Sequence, residues 1–244
     1  MKVSIIIPAY NEEKLLSRCL ASILRARLPE EHEIIVVNNA STDRTEEIAK
    51  GFASVRVINE PRKGVNRARQ AGATAATGDI LVFFDADTII PPDWFRIAVA
   101  KFKSNPKLMG VSGPYHFEAI SWWARGLEWF YNYVVMPTGE FIWKYLLRRG
   151  GIMLLGGNSA VRKSALLAIG GFDTGIDFFG DDTNLTRRIA KVGKIDFTNT
   201  LYVYTSPRRF QHEGGIKVAV KYVLNFFGEW IFKKPVNKVH EDFR

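Results

Sequence analysis

Two aspartates two residues apart, Asp85 and Asp87, directly follow Ile80-Leu81-Val82-Phe83-Phe84, the most apolar run of the first half of the chain. At ~5 Å and an effective dielectric of 20, two such charges repel by roughly 3 kcal/mol. That is a large share of a typical net stability of about 5–15 kcal/mol. A divalent cation with oxygen ligands removes the cost and in turn attracts phosphate. An Asx-type turn with both acids in water is the plainer alternative, and these residues alone leave it open. A second acidic pair, Asp181-Asp182, opens a helical pattern, where the macrodipole favours negative charge. Gly156-Gly157-Asn158 reads as a turn, or as a place where a missing side chain lets substrate approach backbone. His212 suits a surface position or a metal ligand, and Arg208-Arg209 a basic loop or a phosphate contact.

The elements that must position these groups follow from periodicity. Val3–Pro8, Glu33–Val37, Val55–Ile58 and Ile80–Phe84 are short apolar runs of the kind buried on both faces of a sheet. Between them, Leu15, Leu16, Cys19, Leu20, Ile23 and Leu24 recur at helical spacing up to Pro29. Further helices are expected from Ser41 or Thr42 to about Phe52, over Val65–Thr77, and from Pro91-Pro92 to about Phe102. Cys19 lies inside the first apolar stripe and reads as core. This alternation predicts βαβ units, a mainly parallel sheet and helices on both faces. Ligands of such sheets bind beyond the carboxyl ends of the strands. Tyr10–Glu12, Asn38–Asp43 and Asp85–Asp87 each follow a strand, so three polar clusters converge on one edge. The second half is less regular, with a helix expected over Asp182–Val192, a strand over Ile195–Tyr204 and a last helix over about Ile216–Phe232.

Taken together, Ile5-Ile6-Ile7-Pro8-Ala9-Tyr10-Asn11-Glu12-Glu13, Ile34–Asp43, Gly78–Asp87, and Gly170-Gly171-Phe172-Asp173 with Gly180–Leu185 resemble the family 2 glycosyltransferases of GT-A fold. The resemblance runs from residue 3 to about 192, with the motifs in order. It implies a GT-A-like α/β domain over 1–205, with a nucleotide-binding half (1–113) and an acceptor half (114–205), and a basic amphipathic helical extension over 206–244. It also implies a nucleotide-diphospho-sugar donor held through Mn²⁺ or Mg²⁺. Asp87 would be the direct metal ligand, Asp85 would bind ribose or metal-bound water, and His212 would be a third metal ligand. Pro8, Tyr10, Glu12, Asn38 and Asn39 match nucleotide contacts, with Asn standing where relatives commonly carry Asp. Arg69 matches the family's Ala-Arg-Asn element and would meet the diphosphate. Asp182 aligns with the general base, implying inversion at the anomeric carbon. Asp181 replaces the usual Glu before it and would help position the acceptor.

Composition narrows the partners. The 244 residues hold 34 Lys and Arg against 25 Asp and Glu, a formal charge of +9, which favours anionic partners. No recognised nucleic-acid motif interleaves the basic residues, so nucleic acid is disfavoured. One cysteine excludes an internal disulfide framework and a Cys-rich zinc site. No run approaches the ~18 apolar residues of a spanning helix, and the N-terminus does not read as a signal peptide. A cytoplasmic protein is expected, peripheral on the inner membrane face if Trp122–Leu147 and the last helix, rich in aromatics with Lys and Arg nearby, meet anionic lipid. Packing of these segments on the core is the alternative. The acceptor expected is then a glycan, membrane-associated or lipid-linked, including a polyprenyl phosphate. A nucleotide-sugar-binding module without turnover also fits the strand-edge motifs.

Overall fold

The structure is a computed structural model that describes residues 1–141, 154–176, 180–208 and 212, the side chains at 137, 139 and 140 excepted. Nine strands and eight α-helices are found among those residues. The strands are β1 Val3–Ala9, β2 His32–Asn38, β3 Val55–Asn59, β4 Ile80–Phe84, β5 Leu108–Ser112, β6 Tyr115–Phe117, β7 Asn158–Arg162, β8 Lys194–Phe197 and β9 Val203–Thr205. The helices are α1 Leu16–Arg25, α2 Thr45–Lys50, α3 Val65–Ala75, α4 Trp94–Ser104, α5 Trp122–Phe130, α6 Met136–Phe141, α7 Lys163–Ala168 and α8 Asp181–Ile189. Seven strands form one sheet in the order β3-β2-β1-β4-β7-β5-β8, with β7 antiparallel to both neighbours and every other pairing parallel. β6 and β9 form a separate parallel pair. The expected mixed, mainly parallel α/β sheet is therefore present.

β4, most of β1 and the middle of β2 are apolar because both faces are covered. Ile5, Ile7, Ile34, Val36, Val82 and Phe84 face one core, with Leu16, Leu20 and Ile23 of α1 and Trp94, Phe95 and Phe102 of α4. Ile6, Ile35, Val37, Leu81 and Phe83 face the other, with Ala68 and Ala73 of α3 and Leu185 and Ile189 of α8. This is the two-residue alternation of a strand read on both sides. Cys19 is buried in the first core, and burial pushes its thiol up to about 12, so it is packing material. The strand order reverses around β1: the chain goes outward to β2 and β3, then returns to β4 on the other side. The crevice between β1 and β4 is the switch point where a ligand is expected.

The structure departs from the sequence reading in three places. Ile195–Tyr204 is not one strand: β8 ends at Phe197, Thr198 caps a 3₁₀ turn over Asn199–Leu201, and β9 follows in the other sheet. The cause lies in the core, where the Leu201 carbonyl accepts hydrogen bonds from Trp94 Nε1 (3.2 Å) and Asn158 Nδ2 (2.8 Å) and turns the chain inward. α4 starts at Trp94 rather than at the Pro91-Pro92 pair, because Pro91 O closes a turn with Trp94 N and Pro92 O is engaged by Arg27 N. β7 was not foreseen: its Asn-Ser-Ala-Val-Arg sequence lacks an apolar run, yet it lies between β4 and β5. Most of the Trp122–Leu147 segment is a helix, α5 continuing through a π-helical stretch (Tyr131–Val135) into α6, and the part beyond Phe141 lies outside the described residues. So does the helix expected over Ile216–Phe232.

The fit of α3 to the sheet depends on Gly72, where an added Cβ would lie 2.4 Å from Ile6 Cγ2 and 3.1 Å from Val37 Cγ2. Both are branched, fully buried side chains with no room to yield. Gly72→Ala is therefore expected to lower stability by about 1–3 kcal/mol, read as a lower urea midpoint with an unchanged denaturant slope.

Candidate functional site

β4 ends in a turn closed by Thr88, whose amide and hydroxyl both donate to Asp85 O (3.1 and 2.8 Å). The turn projects Asp85 and Asp87 toward two different guanidinium groups. Asp85 Oδ1 pairs with Arg69 Nη2 at 3.3 Å, and Oδ2 accepts from the Tyr115 hydroxyl at 3.4 Å. Asp87 Oδ2 pairs with Arg208 Nη2 at 3.0 Å, and Oδ1 accepts from Thr205 Oγ1 at 3.4 Å. The same Arg208 nitrogen lies 3.0 and 2.9 Å from the two oxygens of Glu12, a buried acid in the turn after β1. The plain solvated turn is thus not what forms; Asp85 is answered by Arg69, 16 residues upstream, and Asp87 by Arg208, 121 residues downstream.

The second acidic pair meets the first across Arg69. Gly180, in left-handed conformation (φ 86°), turns the chain into α8 so that Asp181 and Asp182 sit in its first turn. Asp181 Oδ2 pairs with Arg69 Nη1 at 2.6 Å, and Asp182 Oδ1 accepts from Gly156 N at 2.7 Å. Arg69 is only 5% exposed and ties Asp85 to Asp181. Burial opposes its charge, but Asp181, Asp85 and Asp182 outweigh burial and raise its pKa. Burial, then the charge of Asp181, pushes Asp182 well above the usual carboxylate range, while Gly156 N–H and Arg69 act the other way. Burial also raises Asp181, though the Arg69 guanidinium beside it favours the carboxylate. Such a buried acid with raised pKa is suited to take a proton from a hydroxyl.

The glycine loop is what lets these groups approach. A Cβ on Gly156 would fall 2.5 Å from both Arg69 Nη1 and Asp182 Oδ1, and one on Gly157 would fall 1.9 Å from Asp85 Oδ2. Backbone therefore forms the wall between the two acidic pairs. A continuous run of contacts leads from Glu12 through Arg208 to Asp87, and from Asp85 through Arg69 to Asp181. The crevice between β1 and β4 thus holds the Asp-x-Asp pair and the acids of α8 together. The oxygen-only chemistry of Asp85 and Asp87, with Glu12 beside them, suits Mg²⁺ or Mn²⁺. His212 is exposed, and among the described residues no three His, Cys, Asp or Glu side chains gather as a complete metal site.

Toward the other end of the crevice the two asparagines are engaged in structure. Asn38 Nδ2 donates to Glu46 Oε2 (3.0 Å) and Asn59 Oδ1 (2.9 Å). Asn39 Nδ2 donates to Glu60 O (3.0 Å) and Arg62 O (2.8 Å), and its Oδ1 accepts from Gly64 N (2.8 Å). The pair thereby fixes the loop between β3 and α3. That loop returns Lys63 over the Tyr10 ring, 3.9 Å from its centroid. Pro8 lies in β1, in register with Val37. Arg67 leaves Arg69's direction, as their spacing on one helix requires, and reaches Thr174 O at 3.4 Å. Tyr115 and Thr205, both from the small β6–β9 sheet, are site residues that the sequence did not announce. No motif marks them, and only the topology brings them to the Asp-x-Asp turn.

Asp182 carries a testable consequence for stability. Its folded pKa is raised, so folding favours the protonated form, and that contribution is lost as pH climbs above the ordinary carboxylate value of about 4. Asp182→Asn keeps the shape, leaves an amide oxygen for Gly156 N–H and removes the buried charge. The variant is expected to melt roughly 2–5 °C higher at neutral pH, with a smaller loss of melting temperature between acid and neutral pH than the parent chain shows.

With the geometry in place, likeness to known proteins can be stated. A family model described as glycosyl transferase family 2 matches residues 4–170, more than half of the chain. A probable glycosyltransferase of Bacillus subtilis, YdaM, is 30% identical over 208 residues, covering 79% of this chain and 47% of the relative. A dolichyl N-acetyl-alpha-D-glucosaminyl phosphate 3-beta-D-2,3-diacetamido-2,3-dideoxy-beta-D-glucuronosyltransferase of Methanococcus voltae is 33% identical over 123 residues, 46% of this chain and 38% of the relative. The chain spans less than half the length of these curated relatives. Among solved structures, the mannosyltransferase PcManGT of Pyrobaculum calidifontis, in complex with GDP-Man and Mn²⁺, superposes with a TM-score of 0.76 at 24% identity, covering 97% of this chain and 66% of that one. TarS of S. aureus with UDP-GlcNAc gives 0.66 at 19% identity, over 84% of this chain and 58% of that one. These structural likenesses establish the GT-A architecture, and the family match establishes kinship: the chain belongs to glycosyl transferase family 2.

Proposed function

We propose that the protein is an inverting glycosyltransferase that moves a sugar from a nucleotide-diphospho-sugar to a hydroxyl or phosphate acceptor, with Mn²⁺ or Mg²⁺ as cofactor. The observation that carries this reading is the meeting of two acidic pairs at the switch-point crevice, Asp85/Asp87 on the β4 turn and Asp181/Asp182 on α8, with Arg69 and the Gly156-Gly157 backbone between them. Asp87 would hold the ion directly, with Asp85 on ribose or on metal-bound water. His212 would be the third ligand in this reading. The ion's chemistry is Lewis-acid stabilisation of the departing diphosphate. Pro8, Tyr10 and Glu12 line the nucleotide end, where Asn38 and Asn39 act by fixing the 60–64 loop against the base. Asp182, with its raised pKa, takes the proton from the acceptor hydroxyl on the face opposite the leaving group, which inverts the anomeric carbon. Asp181 stays paired to Arg69 and positions the acceptor side.

A lipid-linked or membrane-associated glycan is the acceptor class we favour, and one feature supports it. In the helical stretch 122–141, Trp122 (87% exposed), Trp123 (59%), Leu127, Trp129, Phe130, Tyr131 and Tyr133 face outward, while Glu128 and Asn132 point inward. That inverts the usual amphipathic order, and rings with Arg125 beside them suit the interface of an anionic bilayer. Lys144, Arg148 and Arg149 follow in the sequence, with no acid from 142 to 149. The M. voltae relative is named for a dolichyl-linked acceptor, which agrees with this class. A polyprenyl-phosphate hexosyltransferase using GDP- or UDP-sugar is the variant of the reading in which the acceptor is a phosphate. The units 1–205 and 206–244 are then a catalytic domain and a basic extension.

Thermal shift with UDP-, GDP- and dTDP-sugars, with and without Mn²⁺, tests the donor. One nucleotide is expected to stabilise the protein only with metal, and Asp87→Ala should erase that response. Asp182→Asn should bind the donor normally yet lower transfer on the order of 10³-fold; undiminished transfer would leave a binding module as the better description. For the acceptor side, replacing Trp122 and Trp123 by Ser should weaken co-sedimentation with phosphatidylglycerol vesicles by about tenfold with no change in melting temperature.

A further inference from the structure

The Arg208 guanidinium is placed in an unusual way for a structural ion pair. Its Nη2 lies 3.0 and 2.9 Å from the two Glu12 oxygens and 3.0 Å from Asp87 Oδ2. One Nη carries two hydrogens, so it cannot aim a good bond at three oxygens at once. It sits instead as a positive point among carboxylate oxygens, which is how a metal ion sits. Its Nε is buried and makes no hydrogen bond, so the planar fork that gives arginine its strength toward anions goes partly unused. The acids it bridges belong to the turns after β1 and β4, on the two sides of the switch point, and Arg208 reaches Glu12 from 196 residues downstream. Glu12 is 2% exposed, and a buried carboxylate of that kind needs a positive partner. Arg208 is 31% exposed and can withdraw without crossing a core.

We infer that Arg208 is an exchangeable counter-ion: it holds Glu12 and Asp87 in the nucleotide-free protein and passes to the donor's diphosphate when the divalent ion takes its place on Asp87. This rests on the metal-dependent reading given above. A diphosphate offers the guanidinium two parallel N–H···O bonds in place of a crowded single nitrogen. The exchange makes metal and nucleotide depend on each other. Metal alone must evict Arg208 while offering it no anion. Nucleotide alone draws Arg208 away and removes its charge from beside Glu12 and Asp87. Each ligand removes the cost of the other, which is positive linkage and is reciprocal.

The test is Mn²⁺ binding to the full chain, followed by electron paramagnetic resonance of free Mn²⁺ with and without UDP or GDP, after subtracting the Mn²⁺ that each nucleotide holds in the absence of protein. The wild-type chain is expected to bind Mn²⁺ about tenfold or more tightly with its nucleotide present. Arg208→Gln should raise the nucleotide-free Mn²⁺ affinity about tenfold and shrink the nucleotide dependence by the same factor, leaving the part that the diphosphate supplies as a ligand, with Arg208→Lys in between. A gain of affinity cannot come from a damaged fold. If Arg208→Gln binds Mn²⁺ no more tightly than wild type without nucleotide, while Asp87→Ala still loses nucleotide-dependent Mn²⁺, the exchange is wrong and the metal reading stands. If no nucleotide promotes Mn²⁺ or Mg²⁺ binding to any of the four proteins, the metal reading falls and the exchange with it.

Discussion

Compensation of negative charge at the carboxyl edge of the sheet is the constraint around which the rest of this molecule is arranged. Five carboxylates (Glu12, Asp85, Asp87, Asp181 and Asp182) converge there, and two guanidinium groups, Arg69 and Arg208, answer them. Burial makes the arrangement costly: Arg69 is almost wholly enclosed, and Asp182 is pushed toward its neutral form. An ion pair of this kind contributes little net stability over an apolar replacement, yet removing one partner leaves an uncompensated charge. This acidic cluster stands in a chain whose overall charge is +9. Net charge alone gives no pointer to an acidic site of this kind.

The sheet explains why charges so far apart in sequence meet. Parallel strands β1, β2 and β4 deliver their following turns to the same edge, which places Glu12, Asn38 and Asp85 side by side. β7 runs against β4, so Gly157 O meets Asp85 N where β7 begins, and the Gly156-Gly157 backbone becomes a wall of the crevice. α8 is drawn to the same place: Thr186 accepts Leu154 N–H and donates to Asp182 O, fastening the helix to the residue just ahead of the glycine loop. The antiparallel insertion is thus what brings the glycine backbone and the acids of α8 to the carboxyl edge of the parallel half-sheet β3-β2-β1-β4.

Much of this was legible where the signal is local. The runs Val3–Pro8, Glu33–Val37 and Ile80–Phe84 announce themselves because a strand covered on both faces is mostly apolar, and Asp85-Ala86-Asp87 stands out against that background. What escaped depends on contacts between distant residues. Arg69 and Asp181 are separated by 112 positions, and nothing in either neighbourhood says that the arginine turns to the acid rather than to a phosphate. Asn38 and Asn39 read as base contacts, and nothing local shows that they also bind Glu46, Asn59 and the 60–64 loop. Tyr115 and Thr205 enter only because β6 pairs with β9, two three-residue strands too short to register as a pattern. The broken Ile195–Tyr204 run had the right composition for a strand, and the burial of Leu201 beneath Trp94 overrode it.

The helix beginning at Trp122 joins these threads. Its two inward polar side chains are not incidental: Glu128 receives Phe117 N–H and pairs with His116, and Asn132 donates to Tyr115 O, so both grip β6. Tyr115 then reaches Asp85 with its hydroxyl. The surface bearing the exposed rings is therefore two contacts away from the carboxylate at the end of β4. Polar anchoring on the inner face leaves the outer face free to be apolar, at the cost of exposing large rings to water. A sequence that tolerates that cost next to its acidic crevice places any apolar partner at the crevice's own rim. On the proposed reading, a lipid-linked acceptor held in a bilayer would then present its head group to Asp182 without leaving the interface.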